Sequence, residues 1–250
     1  MTLSKTFAAA LAAVVVGLTS AQTGNAATCE RLSHDERAYT VCTANAGDDL
    51  RLFLSAPDGT AMGSFQRVSA VLEAEDARLV FAMNAGMYHA DRRPVGLYIE
   101  RGEERTPLVT AKGPGNFGMQ PNGVFCISAP GFSVIETHAF ASNRPDCRYA
   151  TQSGPMLLVK GALHPRFIEG SNSRYVRNGV GVSLDGARAY FAISDGRVNF
   201  HDFARMFRDA LGVEDALYFD GNISRLHAPE LGRSDLGFPM GPIVGLVAPR

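Results

Sequence analysis

Between residues 39 and 247 the chain never travels far without a turn residue, and this punctuation is its strongest constraint. Eleven short apolar or β-branched runs lie at 39–43, 50–55, 79–83, 96–100, 123–127, 132–137, 156–159, 180–184, 189–194, 216–219 and 243–247, mostly between Gly, Pro, Asn or Asp. Runs so short and so bounded read as strands, and each needs a neighbour to bury its face. Only two stretches carry a helical period. In 199–211, Phe200, Phe203, Ala204, Phe207, Ala210 and Leu211 recur at three- and four-residue intervals and form one apolar stripe. Asn199 is a natural N-cap with Asp202 three residues on, and Gly212 supplies a left-handed stop. The second helix, over 64–77, turns Phe65, Val68, Val71 and Leu72 inward. Many strands and few helices predict an α+β domain, with strand-rich mixed sheets and two or three helices. No repeat, linker or low-complexity tract divides residues 27–250, so they form a single domain.

The segment ahead of that domain has a different character. Lys5 is followed by an apolar stretch from Phe7 to Leu18, too short to span a bilayer comfortably, and then by small residues. That is a signal-peptide pattern, with cleavage expected after Ala26 and Ala21 as the fallback. Residues 1–26 are therefore read as a signal peptide, the mature chain as free of membrane spans, and its location as periplasmic or secreted. Cys29, Cys42, Cys126 and Cys147 all lie beyond the cleavage point. An even count in an exported chain reads as disulfides. Of the three connectivities, the sequential pairing Cys29–Cys42 and Cys126–Cys147 is expected, because each bridge closes a short loop that a hairpin holds together. Neither C-x-x-C nor a Cys/His ligand spacing occurs, and the six histidines show no metal spacing, so no metal is expected. With 24 basic and 25 acidic side chains the chain has no electrostatic footprint for nucleic acid and no polybasic membrane patch. The oligomeric state is open.

Several polar residues sit where strands begin or end, next to glycine. Phe81-Ala-Met-Asn84-Ala-Gly86 puts an amide directly after an apolar run, and Gln120-Pro-Asn122-Gly puts one before the next. Gln152-Ser153-Gly-Pro155 precedes Met-Leu-Leu-Val, and Arg177-Asn178-Gly-Val-Gly181 leads into another run. Ala216-Leu-Tyr-Phe-Asp220-Gly221-Asn-Ile-Ser224 delivers an acid just past a helix–strand unit. Glycine lets a ligand approach the backbone, while amide, hydroxyl, guanidinium and carboxylate groups supply oriented donors and acceptors, as a sugar- or phosphate-binding cleft requires. Singly, each segment is also an ordinary turn or cap.

Taken together, and in this order, these segments resemble the phosphodiester glycosidase family, whose lysosomal member removes N-acetylglucosamine from a sugar-1-phosphate diester. Asn84-Ala-Gly-Met-Tyr88 is similar to the family's Asn-Gly-Gly-Phe segment, and Gln152–Pro155 matches its Gln-Ser-Gly-Pro residue for residue. Arg177-Asn-Gly-Val-Gly181 is similar to Arg-Thr-Ala-Ile-Gly. Phe219-Asp-Gly-Asn-Ile-Ser-Arg225 stands against Leu-Asp-Gly-Gly-Gly-Ser-Ser, so the glycine run is broken and a serine has become Arg225. The small exported bacterial branch is the best fit.

The resemblance implies a hydrolase without cofactor, acting on a carbohydrate or sugar phosphate. Asp220 is then the essential carboxylate, with Asp195 and Asp202 the next candidates, and Arg177 clamps the phosphate. Asn84, Asn122, Gln152, Ser153, Asn178 and Ser224 bind substrate, and His227 is a possible acid/base helper. A non-catalytic glycan-binding protein on the same fold is the alternative. A Ser153 esterase is a third reading, against which stands the missing G-x-S-x-G elbow. Gly113-Pro-Gly115-Asn-Phe-Gly118 has dinucleotide-loop spacing but a Pro in its turn and no helix behind it, so it reads as a loop.

Overall fold

The computed structural model describes residues 29–220 and 223–250, together with Met1. The expected signal peptide and its cleavage sites lie outside the described residues. The strands in chain order are β1 (Cys29–His34), β2 (Arg37–Asn45), β3 (Asp49–Phe53), β4 (Ala77–Asn84), β5 (Tyr98–Glu100) and β6 (Glu103–Thr106). They continue as β7 (Gly123–Ser128), β8 (Gly131–Glu136), β9 (Tyr149–Ser153), β10 (Met156–Val159), β11 (Ala162–Leu163) and β12 (Asn178–Val182). The last are β13 (Arg188–Ser194), β14 (Asp215–Asp220), β15 (Leu226–Ala228), β16 (Arg233–Ser234) and β17 (Ile243–Pro249). Three short α-helices interrupt them: α1 (Phe65–Glu73), α2 (Thr137–Ser142) and α3 (Phe200–Arg205).

These strands form three sheets. The largest has the order β1-β2-β13-β12-β14-β10-β11, and the other two run β16-β15-β4-β17-β3 and β6-β5-β9-β7-β8. All eleven expected runs overlap a strand. The α+β class therefore holds, but every pairing among the described residues is antiparallel, where the sequence suggested mixed sheets. Parallel neighbours require long crossovers, whereas β1–β2, β5–β6, β7–β8 and β12–β13 are joined directly as hairpins.

One face of each sheet turns to a shared aromatic core. Phe125 of β7 meets Phe191 of β13 edge-on at 5.6 Å and Phe219 of β14 at 6.4 Å, and Phe81 of β4 lies 5.4 Å from Phe191. The outer face of each sheet has its own helix. Phe65, Val68 and Leu72 of α1 cover β4 and β17, and Phe140 of α2 joins Val124, Cys126 and Ala150. Phe203 and Phe207 lie on Tyr39, Ala192 and Tyr218 of the large sheet. Glycine makes the last contact possible: a Cβ on Gly181 would stand 2.8 Å from both Phe207 and Val213.

Both helices differ from expectation at their C-terminal ends. Ser64 caps α1 through Arg67 N at 3.2 Å, but the helix stops at Glu73 and Ala77 already belongs to β4, where it pairs with Pro249. Asn199 accepts Asp202 N at 2.8 Å as its cap, and Gly212 adopts φ +65° as expected. Between them, residues Met206–Ala210 widen into a π-helical turn.

The two disulfides are the sequential ones. Cys29–Cys42 bridges directly opposed residues of the β1–β2 hairpin, and Cys126–Cys147 ties β7 to the segment entering β9. Unreduced protein is therefore expected to weigh four hydrogens less than reduced protein. The double substitution Cys126→Ser/Cys147→Ser is expected to lower unfolding free energy by about 3 kcal/mol in urea titration. A loss well under 1 kcal/mol, on the order of a surface substitution, would mean that the sheet alone holds that segment.

Candidate active site

Sheet order brings the site together. β12 and β14 are neighbours, Asn178 and Asp220 are register partners at the end of that pair, and Arg177 immediately precedes β12. Along β14, Leu217 and Phe219 enter the shared core while Ala216 and Tyr218 face α3. Asp220, half-buried, and Arg177 then line one cavity of about 380 Å³ together with Met87, Asn116, Ser173, Tyr175 and Tyr218. A second cavity of about 350 Å³ adjoins it, sharing Met87 and Asp220 and adding Tyr88, His89, Arg92, Val95 and Ile223. Among the described residues, Asp220 is the one carboxylate lining either of them.

Arg177 is only 1% exposed. Its Nε donates to Val198 O at 2.9 Å and its Nη2 to Ser173 O at 3.0 Å, while Nη1 is buried with no partner. No carboxylate stands within salt-bridge distance among the described residues. The cation is instead held by rings: its central carbon lies 3.6 Å from the Phe200 centroid and 5.4 Å from those of Tyr175 and Tyr218. Such faces recover part of the cost of desolvating a charge but leave its hydrogen-bonding fork incomplete. Burial pulls the guanidinium pKa down, and the Tyr218 and Tyr175 phenols oppose that pull. Burial in turn pushes the Tyr218 phenol well up, with Arg177 lowering it and Asp220 raising it. Arg177, Tyr218 and Asp220 are thus electrostatically coupled.

Beneath Asp220 lies a polar network. Asn178 donates through Nδ2 to Asn84 O at 2.7 Å, and its Oδ1 accepts from Asn84 Nδ2 and from Asp220 N, both at 3.2 Å. Asn84 Oδ1 accepts Arg225 N at 2.8 Å. Ser224 Oγ is 2.8 Å from Asp220 O, 3.0 Å from Val176 O and 3.2 Å from Asn178 Oδ1. Having one proton, it serves the nearest carbonyl best. Asn84, Asn178 and Ser224 therefore hold the backbone on both sides of Asp220.

The remaining expected residues stand apart from the cleft. Gln152 is 1% exposed, and its Oε1 accepts Leu97 N and Val109 N, both at 3.0 Å. Its Nε2 donates to Val109 O at 2.7 Å and to Thr137 Oγ1 at 3.1 Å. Ser153 is fully buried and donates to Phe219 O at 3.0 Å, so a nucleophilic role has no access. Asn122 is buried and donates to Phe117 O at 2.8 Å. His227 bonds Ser234 at 2.9 Å and lines neither cavity at Asp220. Asp195 pairs with Arg233 at 2.6 Å and Asp202 with Arg37 at 2.9 Å, and neither lines those cavities. Sequence reasoning passed over Met87, Tyr88, Arg92, Asn116, Ser173, Tyr175 and Tyr218. Asn116 sits in the loop set aside as a false dinucleotide motif, and Tyr218 alternates with Asp220 on its strand.

The site thus joins a carboxylate and a buried arginine, unpaired among the described residues, at a shared strand end of an antiparallel three-sheet fold. The phosphodiester glycosidase family model matches residues 77–227, and the chain belongs to that family. An uncharacterized protein of Escherichia coli (strain K12), YigE, is 35% identical over 191 residues, which is 76% of this chain and 73% of that one. The fold is similar to the catalytic domain of zebrafish N-acetylglucosamine-1-phosphodiester alpha-N-acetylglucosaminidase, auto-inhibited by its pro-peptide. That alignment has a TM-score of 0.59 at 13% identity and covers 88% of this chain and 81% of the other. At the family level the function is phosphodiester glycosidase-like, with a sugar-type substrate.

The network generates a prediction of its own. Asn178→Ala strands Asn84 O, Asn84 Nδ2 and Asp220 N without partners, and is expected to cost about 2–4 kcal/mol. Urea unfolding of the purified variant measures it. A cost within about 0.5 kcal/mol, the range of surface substitutions, would mean that water replaces the carboxamide without loss.

Proposed function

We propose that the chain is an exported hydrolase cleaving a sugar-1-phosphodiester on a cell-envelope or exogenous glycan. The observation that carries this reading is the union, in one cavity, of a lone carboxylate with a buried arginine that lacks a counter-charge. Glycosidases usually employ two carboxylates, one to protonate the departing oxygen. A phosphate leaving group needs no proton near neutral pH, so a cation takes the place of the acid. The substrate bond in the zebrafish enzyme's name is of the same kind, which supports the reading. Two disulfides support an oxidising compartment.

In this reading Arg177 Nη1 donates to a phosphate oxygen and completes its hydrogen bonding on substrate. The C1–O bond breaks with its electron pair departing on the phosphate. Asp220 stabilises the positive charge at C1, electrostatically or through a glycosyl ester. Water then adds its oxygen to C1, the C1–O bond to Asp220 breaking where an ester has formed, and the free Asp220 carboxylate passes the water's proton to solvent. Tyr218, protonated across the physiological range, positions the guanidinium, and Asn84, Asn178 and Ser224 position Asp220. Asn116 and Ser173 offer polar groups to the substrate, while Asn122, Gln152 and Ser153 frame the site from behind.

Turnover of a methyl sugar-1-phosphodiester tests this directly. Asp220→Asn keeps size and removes charge, and is expected to lower kcat by about 10³-fold or more while the urea midpoint stays near wild type. Arg177→Lys keeps charge and loses the fork, with an expected loss of about 10²-fold. Near-normal turnover by folded Asp220→Asn would overturn the assignment. Binding of the diester by wild type without turnover would establish the glycan-binding alternative instead.

A further inference from the structure

Two further arginines line the cavities that adjoin the Arg177 site. Arg92 lines the second cavity, its guanidinium 5.5 Å from the Tyr88 ring centroid. Arg225 lines a third cavity of about 570 Å³ with Ser194, Ser224 and Arg233, and the second and third cavities meet at Ile223. Arg233 is neutralised by Asp195 at 2.6 Å and Asp235 at 2.9 Å. Arg225 makes no such pair: the residue is 8% exposed, among the described residues no carboxylate stands at salt-bridge distance, and burial lowers its pKa while Tyr88 and the more distant Asp235 raise it. A guanidinium that faces a cavity without an ion pair offers its donors to an anion there.

The surroundings hold that guanidinium in place. Gly237, at φ +149°, lies against it so closely that a Cβ would stand 2.6 Å from Nη2. The Arg225 backbone is fixed by Asn84, the same side chain that braces Asn178 beneath Asp220. Tyr88 lines the second cavity with Arg92 and Asp220. Its phenol pKa is raised first by burial and further by Asp220, and is lowered by Arg92 and Arg225. Each of the three adjoining cavities is thus lined by an arginine: Arg177 in the first and Arg92 in the second, both beside Asp220, and Arg225 in the third, which meets the second at Ile223.

A sugar whose C1 faces Asp220 and whose phosphate rests on Arg177 extends its ring into the second cavity, toward Arg92 and Arg225. We propose that this sugar carries an anionic substituent of its own, a carboxylate or a phosphate away from C1, and that Arg225 selects it with Arg92. The proposal rests on the phosphodiester reading of Asp220 and Arg177. It deepens that reading from sugars in general to acidic sugars. Arg225 is thereby a specificity-determining residue at the position where the family's motif carries serine.

Calorimetric titration of the mature protein with glucose 1-phosphate, glucuronic acid 1-phosphate and glucose 1,6-bisphosphate tests it, alongside turnover of the corresponding methyl phosphodiesters. Wild type is expected to favour at least one acidic sugar over glucose by about tenfold or more, the size of one charge-assisted contact. The carboxylate and phosphate ligands separate the two substituent chemistries. Arg225→Ser is expected to bring the acidic-to-neutral ratio to within about twofold, and Arg225→Lys to retain part of it. Equal affinities in wild type overturn the proposal whatever the variants do. So does an unchanged ratio in Arg225→Ser, or in Arg225→Gln if the serine variant does not fold. If acidic sugar phosphates bind through Arg225 but no diester is cleaved, the hydrolase reading fails and the acidic-sugar subsite stands. If diesters are cleaved without an Arg225-dependent preference, the reverse holds.

Discussion

The carboxamide of Asn178 is the interaction on which the site depends. Sheets pack through apolar faces, which resist separation but do little to set where strand ends lie relative to one another. Here an amide on β12 of the large sheet exchanges hydrogen bonds with Asn84 on β4 of another sheet and takes the backbone N–H of Asp220. The two carboxamides are fully buried, so each bond they fail to make carries its desolvation penalty, and the arrangement is set within narrow limits. Ser153 makes a similar link from the third sheet, through Phe219 O, one residue before the acid. A carboxylate at the end of a single strand is thereby tied to all three sheets.

The aromatic core and the external helices explain why the cleft opens where it does. Phe81, Phe125, Phe191 and Phe219 consume the inner faces of the sheets, and α1, α2 and α3 consume the outer ones. What remains for a ligand is the rim where strands end, and the polar residues collect there. The site's electrostatics follow from the same geometry. Arg177 emerges at a strand end under the Phe200 ring, where cation–π contact substitutes for a counter-ion.

Much of the fold was legible in the residues themselves. Strand positions follow from short apolar runs between turn residues, and the helix caps at Ser64 and Asn199 from their side chains. The bridges follow from cysteine spacing in an exported-looking chain. β9 was not legible as a strand, because Thr151, Gln152 and Ser153 are polar and yet buried. Their hydrogen-bond partners come from distant segments, and no local pattern announces a polar residue that is satisfied at long range.

The site divides along the same line. Asp220, Arg177, Asn84, Asn178 and Ser224 stood out because polar groups beside glycine at strand ends are unusual, and local chemistry is all that such a reading needs. Which of them face the cleft was a question the sequence by itself left open. Gln152 and Ser153 match the family motif residue for residue and nonetheless point into the scaffold, whereas Asn116, Tyr175, Tyr218 and Arg92 carry no motif and line the cavities. The sequence alone determined most of the element types, the presence of disulfides and the residues able to do chemistry, because these rest on spacing and side-chain identity. Only the tertiary structure decided antiparallel pairing throughout, the meeting of Arg177 with Asp220 in one cavity and, among the described residues, the absence of an ion pair at Arg177 and Arg225, because each depends on which distant strand ends are brought together.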